Sequence, residues 1–77
     1  MDERKLKQVI ASVLGVPAET IDESTTADTV EDWGSLAQLN LILAIEEEFD
    51  VEIPDEEAAD LTSYPLIKLV VAEQAGA

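Results

Sequence analysis

The chain has 77 residues, 47% of them hydrophobic, and a formal net charge of −14. A chain of this size buries only roughly 60% of its unfolded surface, so one domain spanning 1–77 is expected, with a core too thin for a deep active site. It has no histidine and no cysteine, which excludes disulfides, Ser-His and Cys-His nucleophilic pairs, and leaves any thiol chemistry to a cofactor.

The four basic residues are Arg4, Lys5, Lys7 and Lys68, and fifteen Asp and Glu residues lie between Gln8 and Ile67 with no positive charge among them. Such a surface repels nucleic acid and anionic lipid and attracts proteins with basic patches. A solvated, soluble surface is the plain alternative. The N-terminal Met-Asp-Glu-Arg-Lys is charged and no apolar segment follows it, so no signal peptide is expected. The longest purely apolar run, Leu41 to Ile45, is too short for membrane insertion. A cytoplasmic location and, from self-repulsion, a monomer are expected.

Leu6, Val9, Ile10, Val13 and Leu14 recur at the spacing of an amphipathic helix. Asp2 can cap its start, and Gly15 followed by Pro17 ends it. A long polar loop follows from Val16 to Gly34, with Val16, Ile21, Val30 and Trp33 available to pin it to the core. Loops of this length are often functional. Trp33 has two candidate roles, packing across the helix ends or standing exposed as a partner anchor.

The second helix is expected from Ser35 to about Phe49, opened by an S-x-x-Q capping box formed by Ser35 and Gln38. The segment from Asp50 to Pro54 breaks the pattern, because proline cannot continue a helix there. Asp55 to Asp60 reads as a short acidic helix. A last helix begins near Tyr64-Pro65, buries Leu66, Ile67, Val70 and Val71, and frays at Gly76. Val51-Glu52-Ile53 alternates like a strand but finds no partner of similar length. The expected fold is all-α: a small four-helix bundle of three longer helices and one short helix, with a long first loop.

The second helix carries two apolar stripes. With Leu36 at zero and about 100° per residue, Leu41, Ile45, Phe49 and Ile42 fall between about 140° and 240°. Leu36, Leu43 and Leu39 fall between about 300° and 0°. The first stripe is the better core face because it is broader and carries the ring. The second, bordered by Glu46 and Glu47, then has the anatomy of a docking surface. A helix buried on most of its sides is the alternative, although unpaired Glu46 and Glu47 would be costly to bury.

Acidic pairs are too abundant to be diagnostic, and the segments around Asp22, Asp28 and Asp50 fail the calcium-loop template. No metal site is expected. The three glycines are isolated, so no phosphate-cradling glycine loop is present. Ser35 can serve as a plain helix N-cap. The same position also suits an attached phosphate, because free N–H groups and the helix dipole stabilise anions.

The run Asp32-Trp33-Gly34-Ser35-Leu36, then Glu46-Glu47-Glu48-Phe49, then Ile53-Pro54-Asp55-Glu56-Glu57 resembles the acyl carrier protein family, with its D-S-L, E-E-E-F and I-P-D-E-E segments in order. The resemblance implies a four-helix bundle and a carrier rather than an enzyme. It implies 4'-phosphopantetheine attached to Ser35 by a phosphopantetheinyl transferase, with an acyl or related group held as a thioester on the arm. It also implies that Leu36, Leu39, Leu43, Glu46 and Glu47 form the partner-recognition helix, meeting acyl-loading and acyl-processing enzymes through basic patches. A cargo chain is expected among Ile42, Ile45, Phe49, Ile53 and Leu61. Gly34 departs from the pattern: the family usually has aspartate there, a carboxylate linked to recognition by the transferase and its metal, and Asp32 is the candidate substitute. Trp33 likewise replaces the leucine-glycine pair of fatty-acid carriers and looks more like discrete carriers of specialised pathways. The competing reading is an unmodified acidic helical module that binds proteins through its exposed leucines.

Overall fold

The computed structural model describes residues 2–75. The first helix, α1, spans Glu3–Leu14. Asp2 caps it by accepting from the amides of Arg4 (3.1 Å) and Lys5 (3.3 Å). Gly15 closes it at φ +71, a left-handed conformation that costs glycine least, and its N–H donates to the Ala11 carbonyl. Leu6, Ile10, Ala11 and Leu14 form its buried face, which is the face that the spacing predicts.

The long loop from Val16 to Gly34 is ordered largely by its own hydroxyls and carboxylates. A single 3₁₀ turn, Ala18–Thr20, opens it. Thr25 Oγ1 accepts from the Asp22 amide (2.9 Å), Asp22 Oδ1 accepts from the Ser24 amide (2.8 Å), and Thr29 Oγ1 accepts from the Thr26 amide (2.9 Å). These short-range bonds explain why a Thr-, Ser- and Asp-rich segment holds its shape without regular structure. Ile21 and Trp33 are buried in the core, and Val16 and Val30 pack against it, so the four apolar residues pin the loop as expected.

Helix α2 runs Ser35–Phe49 and α3 runs Asp55–Ala58. Asp50 closes α2 in the left-handed region at φ +52. Helix α4 spans Tyr64–Ala75. Gly76, the expected site of fraying, lies outside the described residues. An isolated antiparallel bridge between Thr26 and Ser63 ties the long loop to the start of α4. Here the Ala27 amide donates to the Thr62 carbonyl (2.8 Å) and the Tyr64 amide to that of Thr25 (2.9 Å). Val51-Glu52-Ile53 joins no strand, as its lack of a partner predicts.

The core joins α1, α2 and α4 through Leu6, Ile10, Leu41, Ile45, Tyr64, Ile67 and Val71, all fully buried. Lys5 Nζ meets Glu48 of α2 at both its carboxylate (3.4 Å) and its carbonyl (3.3 Å). The first turn of α1 therefore lies beside the last turn of α2. One expectation for α4 fails. Leu66 is exposed rather than buried, and Leu69 is exposed with it. Tyr64, which the helical spacing did not include, takes the inward position instead. Its hydroxyl donates to Glu3 Oε1 (2.8 Å), and Lys68 pairs with both Glu3 and Glu23. The result is an all-α arrangement of four helices, three long and one short, among the described residues.

Candidate functional site

The start of α2 differs from the expected capping box by one residue, and that shift decides what Ser35 can do. Gly34, not Ser35, is the N-cap, with extended dihedrals of φ −108 and ψ −165 and no side-chain cap. Ser35 is the first helical residue, and its hydroxyl makes no hydrogen bond to any described residue. It is solvent-exposed. The amides of Ser35, Leu36 and Ala37 likewise meet no acceptor among the described residues, and the first turn carries no acidic side chain. Three unsatisfied N–H groups and the positive end of a fifteen-residue helix thus surround a free hydroxyl, a setting that favours a phosphate on that oxygen.

Gln38, the expected partner in the cap, points elsewhere. Its Oε1 accepts from the Trp33 indole N–H (2.6 Å), and its Nε2 donates to the carbonyls of Ala58 (2.7 Å) and Leu61 (2.9 Å). One side chain thereby ties the loop before Ser35 to the end of α3. Trp33 is 5% exposed, which settles its two candidate roles in favour of packing. The sequence carried a signal for Gln38: on the same helical wheel it falls at about 200°, inside the buried arc. A polar amide on a core face needs buried partners.

The two stripes of α2 separate as the angles predict. Leu41, Ile42 and Ile45 are buried, and Phe49 is half-buried with Lys5 Nζ 5.4 Å from its ring centroid. Leu36, Leu39 and Leu43 are 73%, 59% and 53% exposed. At the far end of the exposed stripe, Leu43, Glu46, Glu47 and Asp50 line a hollow of about 490 Å³. Asp32 and Glu47 are exposed. Glu46 is not a free rim charge. It is half-buried, and its Oε2 accepts from the Ile53 amide (2.8 Å), anchoring the segment between α2 and α3.

An open groove of about 330 Å³ begins at Ser35 and follows α2 to Glu46, walled on the other side by Ile53, Asp55, Ala58 and Ala59. Of the five residues expected around a cargo chain, Ile42 and Ile53 line this groove. Ile45 and Leu61 are already packed in the core, and Phe49 lies toward α1. The space beside Ser35 is a surface groove walled by α3, not a tunnel into the bundle.

No helix among the described residues is long and apolar enough to cross a membrane. No group of three or more potential metal-ligating side chains is assembled among them.

Fold and site together define a small helical scaffold that presents one unencumbered hydroxyl at a helix N-terminus, beside an apolar groove and an exposed leucine stripe. Residues 4–65 match the sequence model of the phosphopantetheine attachment site family, and the chain belongs to that family. Its members are carriers rather than catalysts, and they hold 4'-phosphopantetheine covalently on a serine. Interaction with a phosphopantetheinyl transferase and with acyl-processing enzymes follows for such a carrier.

Proposed function

We propose that Ser35 is the attachment residue and that residues 1–77 act as one acyl carrier domain. The observation that carries this reading is the free Ser35 hydroxyl, released from capping by Gly34 and set among three open amides. In the modification, the Ser35 oxygen attacks the β-phosphorus of coenzyme A. Its proton is lost, the Oγ–P bond forms, and the pyrophosphate bridge breaks to release 3',5'-ADP. Once attached, the arm supplies the thiol that this cysteine-free chain lacks, and an acyl group rides on it as a thioester. The open amides of the first turn hold the phosphodiester charge, and the groove toward Ile42 and Ile53 shelters an apolar cargo.

Partner enzymes dock on Leu36, Leu39 and Leu43, with Asp32, Glu46 and Glu47 supplying negative charge. The hollow between Leu43, Glu46, Glu47 and Asp50 suits a Lys or Arg side chain from the partner. This division of labour follows interface anatomy, an apolar centre with a charged rim. The domain works as a cytoplasmic monomer, in keeping with its charge.

The attachment is tested by incubating the chain with coenzyme A, magnesium and a broad-specificity phosphopantetheinyl transferase, then taking the intact mass. One phosphopantetheine adduct on the native chain and none on Ser35→Ala is the expected result. An adduct that persists in Ser35→Ala assigns the attachment elsewhere, and no adduct with several transferases overturns the reading.

A further inference from the structure

The large apolar side chains that stand exposed among the described residues fall into two groups. Leu36, Leu39 and Leu43 form the stripe of α2. Leu66 and Leu69, 43% and 56% exposed, lie on α4 and belong neither to that stripe nor to the groove beside Ser35. With Leu66 at zero and about 100° per residue, Leu69, Val70 and Glu73 fall between about 300° and 40°. The buried Ile67, Val71 and Tyr64 fall between about 100° and 160°. Leu66, Leu69 and the half-buried Val70 therefore make a ridge turned away from the core. Helix α2 packs along α1 and makes no comparable contact with α4, so the two exposed ridges do not merge into one patch.

Negative charge borders the α4 ridge on both sides. Exposed Glu73 closes its C-terminal end. Past Val70, the Gln74 side-chain amide donates to the Glu52 carbonyl, which brings the segment of exposed Glu52 alongside. Beyond the other border, Lys68 pairs with both Glu3 and Glu23. One cation against two carboxylates leaves that side negative as well.

We propose that the Leu66–Leu69–Val70 face of α4 is a second docking surface, which takes an amphipathic helix of a partner protein with leucine-like side chains at its centre and Lys or Arg at its borders. A helical ridge packs into the grooves of another helix, and the basic borders answer the acids on either side. A second copy of this chain does not fit, because it brings acid against acid and each copy carries a charge of −14. The inference goes beyond attachment at Ser35 and does not depend on it. Where the arm is present, a partner held on α4 leaves Ser35 and α2 uncovered. A tethered carrier then meets a second enzyme at raised effective concentration.

The test titrates a synthetic amphipathic helix of about 18 residues, with leucine on one face and lysine at its borders, into the isotope-labelled full chain. Backbone amide NMR locates it. Because the α2 stripe offers a competing apolar face, the wild type is compared with Leu36→Ser/Leu43→Ser and with Leu66→Ser/Leu69→Ser, each checked for helicity by circular dichroism. Shifts at Leu66, Leu69, Val70 and Glu73 are expected in the wild type and in the α2 variant. In the α4 variant those shifts should vanish, with affinity at this site falling about tenfold or more. Glu73→Lys should weaken the site about two- to fivefold, the scale of an exposed charge pair. A peptide with glutamate in place of lysine should leave α4 unshifted.

No shift at α4 in the wild type overturns the proposal, as do α4 shifts that survive Leu66→Ser/Leu69→Ser. Equal binding of the glutamate peptide overturns the basic partner. Sedimentation equilibrium should show a monomer; a dimer whose dissociation moves the same α4 signals assigns the face to a second copy instead. In the transferase reaction, Leu66→Ser/Leu69→Ser should gain phosphopantetheine as fast as the wild type, and a slower gain would overturn a surface separate from α2. No adduct on either chain defeats the attachment reading alone, and the peptide titration still decides this one.

Discussion

Glu46 and Glu47 sit side by side on the proposed partner rim, yet the structure separates what their removal should do. Glu46 Oε2 accepts from the Ile53 amide at 2.8 Å, and Ile53 is itself buried. Truncation to alanine removes a charged acceptor and strands a backbone N–H in a half-buried site. Hydrogen bonds to charged groups contribute roughly 1.5–3 kcal/mol. Partial solvent access at Glu46 lowers that to about 1–2 kcal/mol. For a chain of this size, each kcal/mol moves the melting temperature by about 4–8 °C, so Glu46→Ala should melt about 5–15 °C lower. Glu47 is exposed and meets no partner among the described residues, so Glu47→Ala should stay within about 0.5 kcal/mol of the native chain.

Glu46→Gln supplies the control, because its amide oxygen still accepts from Ile53 and most of the stability should return. Thermal unfolding followed by circular dichroism measures the first quantity, and titration with a basic partner such as the transferase measures the second. Both alanine variants should weaken docking, and only Glu46→Ala should lose stability. Equal melting temperatures for Glu46→Ala and Glu47→Ala would refute the anchoring role. A double charge reversal at both positions would confound the two effects, since one of the two residues also holds the chain between α2 and α3.

The remaining predictions draw on other parts of the molecule. Leu36→Ser, at the most exposed position of the leucine stripe, should change stability by no more than about 0.5 kcal/mol. It should weaken partner binding about tenfold, as loss of an interface anchor does; unchanged binding by titration calorimetry would place the docking surface elsewhere. Tyr64 is the sole tyrosine, and burial, then its bond to the Glu3 carboxylate, pushes its phenol up. Its absorbance titration should therefore lie above the usual value of about 10, and the associated stability, full below that pH, is lost as the raised value is passed. On the acid side, the Tyr64 hydroxyl, followed by the Lys68 charge, holds Glu3 below its usual range. The stability from Glu3 is thus present above that range and lost as pH falls through the lowered value, a difference that Glu3→Gln should abolish in melts across the acid range. Gly34→Asp meets open space, since nothing lies within 4 Å of an added Cβ. It supplies the side-chain cap that α2 lacks, raising stability by a few tenths of a kcal/mol and speeding transfer in a mass-resolved time course; slower transfer would show that glycine serves the modification.

Much of this architecture is legible in the sequence because local physics decides it. The α1 periodicity, its Asp2 cap and its Gly15 stop each depend on neighbours within a turn, and all three hold. The two stripes of α2 separate cleanly because 100° steps put Leu36, Leu39 and Leu43 on one side and Leu41 and Ile45 on the other. The exposure of Leu66 escapes the sequence pattern for the opposite reason. In a short helix with apolar residues on most sides, which one turns inward depends on where the chain enters. Here that is set by the bridge between Thr26 and Ser63 and by Tyr64 reaching Glu3. Those contacts cross thirty or more residues of sequence, and no local pattern announces them.

The start of α2 shows how such long-range contacts bear on function. An S-x-x-Q string predicts a serine cap with glutamine reaching back to it, and in an isolated helix that arrangement would satisfy one amide from each side. In the folded chain Gln38 instead makes three hydrogen bonds, to Trp33, Ala58 and Leu61, in a half-buried site where unpaired groups are costly. Those bonds outweigh one exposed capping bond, and the helix start passes to Gly34. A capping serine directs its oxygen at its own helix, whereas a nucleophilic serine must offer that oxygen to a phosphorus centre outside. By drawing Gln38 away and leaving the cap to a residue with no side chain, the packing of Trp33 and α3 frees the Ser35 hydroxyl. The Trp33–Gln38–α3 node therefore accounts for why the attachment oxygen is available.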